Sequence, residues 1–228
     1  MAKMTEQDWL TTTHPYDLTH HKACRSARKR RLFSCAIARH VLFLIPDDRY
    51  QQAIDFAERY ADGAATEEEM RATRRRMNKI YGQRQFGEPG NYATGAIMAT
   101  LDKEAVLTVH GWESAASAQA ALARPDWDRG RDAEMAVACA YARDVFANPF
   151  RPLTLDRAWL TTSVLALAQT AYEERQLPAG TLDPTSLAIL ADALQEAGCD
   201  HQHILTHCRQ PTPHVRGCWM LDLLLGKN

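Results

Sequence analysis

Long apolar runs are missing from this chain. The bulkiest, Val41-Leu-Phe-Leu-Ile45, stops at Pro46, far short of the roughly 18 residues a membrane-spanning helix needs. The start, MAKMTEQDWLTTTHPYD, has no apolar core of the kind a secretory signal carries, so a cytoplasmic location is expected. No Cys-x-x-Cys pair occurs, which removes the usual zinc-ribbon and thioredoxin patterns. A Gly-rich phosphate loop, His-Glu-x-x-His, Gly-x-Ser-x-Gly and a paired catalytic-carboxylate signature are also missing. A strong excess of one charge is lacking too: 27 Lys and Arg stand against 28 Asp and Glu, a net charge of -1. That balance argues against a surface that coats nucleic acid, though not against a local basic patch.

What is present is a normal globular mixture. The 228 residues are 46% hydrophobic and 24% charged, enough to bury a core as one domain. A division into 1-122 and 132-228 is conceivable, because 82-90 and 123-131 are rich in Gly, Pro and Arg. The six cysteines, at 24, 35, 139, 199, 208 and 218, read as free buried thiols in a chain without an export signal.

The spacing of apolar residues is helical almost throughout. Phe33, Ala36, Ile37, Val41 and Leu44 share one face of a helix spanning about 26 to 44, and His40 lies on that face as a hydrogen-bonded core residue. Thr5-Glu-Gln-Asp8 and Thr66-Glu-Glu-Glu69 are capping boxes. Asp183 followed by Pro184 opens a later helix, and Asp200 is expected to cap a short one ending near Cys208. Further helices are expected over 103-122, 132-147 and 214-225. The first helix is expected to end at His14-Pro15. No alternating strand is evident, so the fold class is all-α, an irregular bundle of nine to ten helices built from antiparallel hairpins.

Six stretches have a shared likeness: TEQDWL, RKRRLFSCAIAR, AIDFAERYADG, FANPFRPLTLDRAWLT, ILADALQEAGCD and HCRQPTPHVRGCWMLDLLLGK. Together they resemble a bacterial family that occurs as many paralogues in some large genomes and carries no assigned activity. The resemblance spans about 4-65 and 140-228. It implies a shared fold and supplies no catalytic residues. Ser34-Cys-Ala-Ile-Ala38 departs from it, standing where relatives carry a run of cysteines.

The densest chemistry lies in HCRQPTPHVRGCW, 207-219. Zinc takes about four ligands from Cys, His or carboxylate. His214 and Cys218, four apart, would share a face if the last helix began at Pro213, and Cys208 or His207 would fold back toward them. His201 and His203 are further donors, so a zinc-stabilised domain or hydrolase centred on 199-218 is one reading. Tight helix packing explains the same residues. Arg209 and His214 also have the R-x4-H spacing of some small helical ribonucleases, but two prolines between them disfavour that geometry.

Asp222 sits in Trp219-Met-Leu-Asp-Leu-Leu-Leu225 and must be buried, so it needs a cation. Arg216, Arg209 and Arg151 are candidate partners, with Asp222–Arg216 the expected buried ion pair. Two basic clusters, Arg28, Lys29, Arg30, Arg31 and Arg71, Arg74, Arg75, Arg76, Lys79, offer a nucleic-acid reading. The reading favoured overall is a non-enzymatic protein-interaction or scaffold module of a larger assembly, with no obligate cofactor. Trp112, Trp127 and Phe86 would supply its exposed apolar surface.

Overall fold

Thr5 and Asp8 cap each other's backbone N–H groups, and this box opens α1 (Glu6–Thr11). Pro15 does not simply end that helix. Its locked φ suits the first position of a new one, α2 (Pro15–Thr19). Ser26 accepts from Lys29 N–H and opens α3 (Ala27–Val41), which buries Phe33, Ile37 and Val41. A 3-10 turn, Leu42–Leu44, follows, and Asp47 then caps α4 (Asp48–Ala61). The computed structural model describes residues 4-82, 86-104 and 110-227.

The second capping box forms as its spacing implies, with Thr66 and Glu69 bonded reciprocally, and opens α5 (Glu67–Gly82). Next come α6 (Glu88–Thr100), α7 (Gly111–Leu122) and α8 (Trp127–Phe146). The helix expected over 103-122 begins only at Gly111, and residues 105-109 lie outside the described part. Asp126 caps α8 by accepting from Arg129 N–H, so the loop expected over 123-131 is shorter than its composition suggests. The chain continues through α9 (Thr162–Glu173), β1 (Arg175–Gln176), β2 (Thr181–Leu182), α10 (Pro184–Glu196), α11 (Gln202–Arg209) and α12 (Trp219–Leu225). Twelve α-helices and one two-stranded antiparallel ribbon among the described residues make the fold all-α. None of the described helices is long and apolar enough to cross a membrane.

Two expectations change near the end of the chain. Asp200 does not cap α11, whose cap position is His201. The last helix starts at Trp219, not His214. Gly217 has φ +88, and a Cβ there would meet Leu32 Cδ1 at 2.8 Å. The Leu182 N–H donates to His214 O at 2.8 Å and Val215 bridges Thr181, so the chain runs along the ribbon at 214-215 and then makes the left-handed turn at Gly217.

The apolar interior forms two clusters. One joins α1 to α8 and includes Trp9, Phe33, Ile37, Tyr50, Ile97, Trp112 and Phe146. The other joins α9 to α12 around Val164, Tyr172, Leu187, Leu190, Ile204, Leu221 and Leu224. They part after Phe146 rather than in 123-131, because α8 packs with the N-terminal helices. All six cysteines are free and buried.

Charged side chains fill much of the seam between the clusters. Arg39 of α3 binds Glu58 of α4 through two nitrogens, Nε to Oε1 at 2.7 Å and Nη2 to Oε2 at 2.9 Å, and Arg175 adds a bond to Glu58 at 2.8 Å. Gly180, at φ +73, leaves room for the Arg39 stem. A second network centres on Asp62, which receives Arg28, Arg216 and the Tyr172 hydroxyl. Such pairs are costly to bury singly and stable when every oxygen finds a donor.

Candidate metal centre

Asp144 lies in the last turn of α8, on the stripe that buries Tyr141, Ala142 and Val145. His207 lies on the buried face of α11. His214 and Cys218 flank the turn at Gly217. One donor atom from each of these four buried residues lies within 4.8 Å of the others. Asp144 Oδ1 is 2.6 Å from His214 Nδ1 and 3.3 Å from His207 Nε2. His207 Nε2 is 3.1 Å from Cys218 Sγ. The second Asp144 oxygen accepts from Val215 N–H at 2.9 Å, which fixes the carboxylate from behind.

The electrostatics of the four residues are coupled. Burial alone would raise the Asp144 pKa, but hydrogen bonds from His207 and His214 overcome it and hold the carboxyl well below the usual range. Burial likewise disfavours the His214 cation. Asp144 reverses this and raises the His214 pKa, helped by the carbonyls of Gln210 and His207, although Nε2 closes no hydrogen bond. Burial, with the Asp144 charge, pushes the Cys218 thiol far up.

This wiring does not suit nucleophilic catalysis. A thiol–imidazole–carboxylate relay uses opposite nitrogens of the ring, whereas His207 meets both Cys218 and Asp144 through Nε2. Cys218 is fully enclosed. A tetrahedral zinc ion needs donors about 3.2–3.8 Å apart, given bonds of about 2.0–2.3 Å. The four atoms match that set within shifts of about 1 Å. Asp⁻ and Cys⁻ would cancel the charge of Zn²⁺, and Val215 N–H and the Gln210 carbonyl would serve as outer partners.

Of the expected ligands, His207, His214 and Cys218 converge. Cys208 does not: one residue further along α11, it packs into the C-terminal apolar cluster. The premise that His214 and Cys218 share a helical face also fails, since they meet across a turn. Asp144 takes the fourth place. Sequence reasoning overlooked it, though a carboxylate on an apolar helical stripe was the signal applied to Asp222. His203 instead stacks on Trp219 at 5.1 Å. Arg209 and His214 do not meet either, as Arg209 pairs with exposed Asp192.

The expected Asp222–Arg216 pair is replaced. Asp222 receives both terminal nitrogens of Arg28, at 2.7 and 2.9 Å, with Lys29 at 3.5 Å. Arg216 precedes α12 and turns to Asp62 at 2.6 Å, over the Tyr172 ring. The cause is the later helix start, which points Asp222 at the first turn of α3.

The first basic cluster is thereby spent inside the molecule. Lys29 also donates to Val145 O, Arg30 to Cys24 O, and Arg31 to Thr100 O beneath the Tyr60 ring. In the second cluster Arg71 pairs with Glu67 and Arg74 with Asp102, while Arg75, Arg76 and Lys79 are exposed on α5. Trp112, expected at the surface, is buried, Phe86 is half-buried and Trp127 is exposed beneath Arg124. His40 pairs with Glu134 at 3.2 Å. No protein-family model, curated protein or solved structure matches this chain.

Proposed function

We propose that this chain is a non-enzymatic, all-α binding module whose two helical halves are clasped by one zinc ion at Asp144, His207, His214 and Cys218. The observation that carries the reading is the convergence of four buried donors of zinc-binding type. Four protein ligands leave no open position, which suits a structural ion rather than a catalytic one. Asp144 comes from the N-terminal cluster of helices and the other three from the C-terminal part of the chain, so the ion would act as a joint. The partner is read as a protein, met on the groove between α6, α7 and α8 where Tyr92 and Trp127 are exposed.

Metal analysis of the purified, untagged protein tests this. About one zinc per chain is expected, with a melting temperature that falls on chelation and recovers on zinc addition. Asp144→Asn and Cys218→Ser should each lose most of the metal, and Cys208→Ser should keep it. A folded protein that neither carries zinc nor responds to it would sink the reading.

A further inference from the structure

A cleft of about 330 Å³ opens beside the cluster, with Asp144 and His207 in its wall. Trp9 of α1, Arg143 of α8 and Trp219 of α12 line it, with Asn148, His203 and Gln210. Its volume is in the range of small-molecule sites.

Arg143 is the unusual member. It is half-buried and anchors the end of α1, donating from Nε to Trp9 O at 2.9 Å and from Nη2 to Thr12 O at 2.6 Å. Among the described residues, those two bonds leave Nη1 without an acceptor. No carboxylate among the described residues pairs with it. The nearby acids are committed elsewhere. Asp144 is held by His214 and Val215 N–H. Glu6 is taken by Arg151 at 2.5 Å and by Asn148. The cleft therefore holds a guanidinium without a carboxylate partner in a partly desolvated place, where an ion gains most from a partner. Beside it, His203 Nδ1 is buried and has no hydrogen-bond partner. The His203 ring and Trp219 form a flat stack.

We infer that this cleft is a binding site for a small organic oxyanion, its carboxylate or phosphate head on Arg143 and its flat body along the edge of the His203–Trp219 stack. An oxyanion accepts from the free edge of the guanidinium in a planar, charge-assisted geometry. His203 and the Gln210 amide supply further polar contacts at the rim. The site shares a wall with the proposed zinc centre but does not require the ion.

Trp9 and Trp219 report occupancy directly. Inorganic phosphate and benzoate, titrated separately into the full chain, should change tryptophan fluorescence saturably, and the tighter probe identifies the head group. Sodium chloride at equal ionic strength should give no saturable change. Arg143→Gln should weaken binding at least tenfold, while Arg143→Lys should lose less. Because Arg143 also holds α1, His203→Ala is the second variant: it leaves that anchor intact and should weaken the probe several-fold. The titration is repeated after chelation. Retained binding is expected whether or not zinc was present. Binding that vanishes with the metal would place the anion on the ion rather than on Arg143 and overturn the assignment. A response shared with chloride, or one that survives both Arg143→Gln and His203→Ala, would overturn it as well.

Discussion

At the scale of single residues, the buried charges are the most specific feature of this protein. Asp222 is enclosed and held by Arg28, which shares Tyr172 and Asp62 with Arg216. Removing one member strands the others, so Arg28→Met should lose about 3–5 kcal/mol of stability. A double-mutant cycle in denaturant should give a coupling of about 2 kcal/mol between Arg28 and Asp222, and well under half of that between Arg216 and Asp222. Equal couplings would mean the pairing is misassigned. That Asp222 must be paired was legible from its apolar neighbours. Its partner was not, because Arg28 lies 194 residues away and no local pattern encodes so distant a contact. The same holds for the candidate centre. His207, His214 and Cys218 lie close together in sequence, whereas Asp144 is 70 residues before His214. Only its place on a buried stripe betrays it.

At the scale of elements, what the sequence states locally is what the structure repeats. The two capping boxes, the Asp183-Pro184 start and the apolar stripe of α3 are interactions among residues three or four apart, and each is present. The misread boundaries are those where a tertiary contact decides. The start of α12 depends on Gly217 lying against Leu32 and on pairing with the ribbon. The end of α8, expected at 147 and found at Phe146, bears a different cost. Ala147, its C-terminal cap, has φ 61 and ψ 177, a conformation that costs a side-chain-bearing residue about 1–3 kcal/mol. Glycine adopts it freely but loses about 0.5–1 kcal/mol more entropy on folding. Ala147→Gly should therefore raise the melting temperature, by about 2–4 °C for a net gain near 1 kcal/mol. A fall would mean that the turn bears no strain.

For the whole molecule, two apolar clusters are joined through ion networks and the Asp144 cluster, so protons and the proposed zinc ion should compete for the same joint. Without metal, the raised His214 pKa stabilises the fold fully below the ordinary value of 6.5, and that contribution fades as pH rises through the folded value. The lowered Asp144 pKa acts above the ordinary 3.8 and is lost as pH falls through its folded value. The metal-free joint is therefore strongest between these limits. Zinc needs a neutral imidazole and a thiolate, so its stabilisation should grow with pH. Melting curves from pH 5 to 8 with and without zinc should diverge as pH rises, and a constant gap would contradict the shared joint. The geometry of the joint also fixes an order in time. Asp144 is synthesised long before its partners, which follow together between His207 and Cys218. Domains tend to fold as they emerge, N-terminal part first. On the ribosome, the helices up to Phe146 can collapse while Asp144 still faces solvent as an ordinary carboxylate. The joint then closes in one late event, when the last turn of chain arrives.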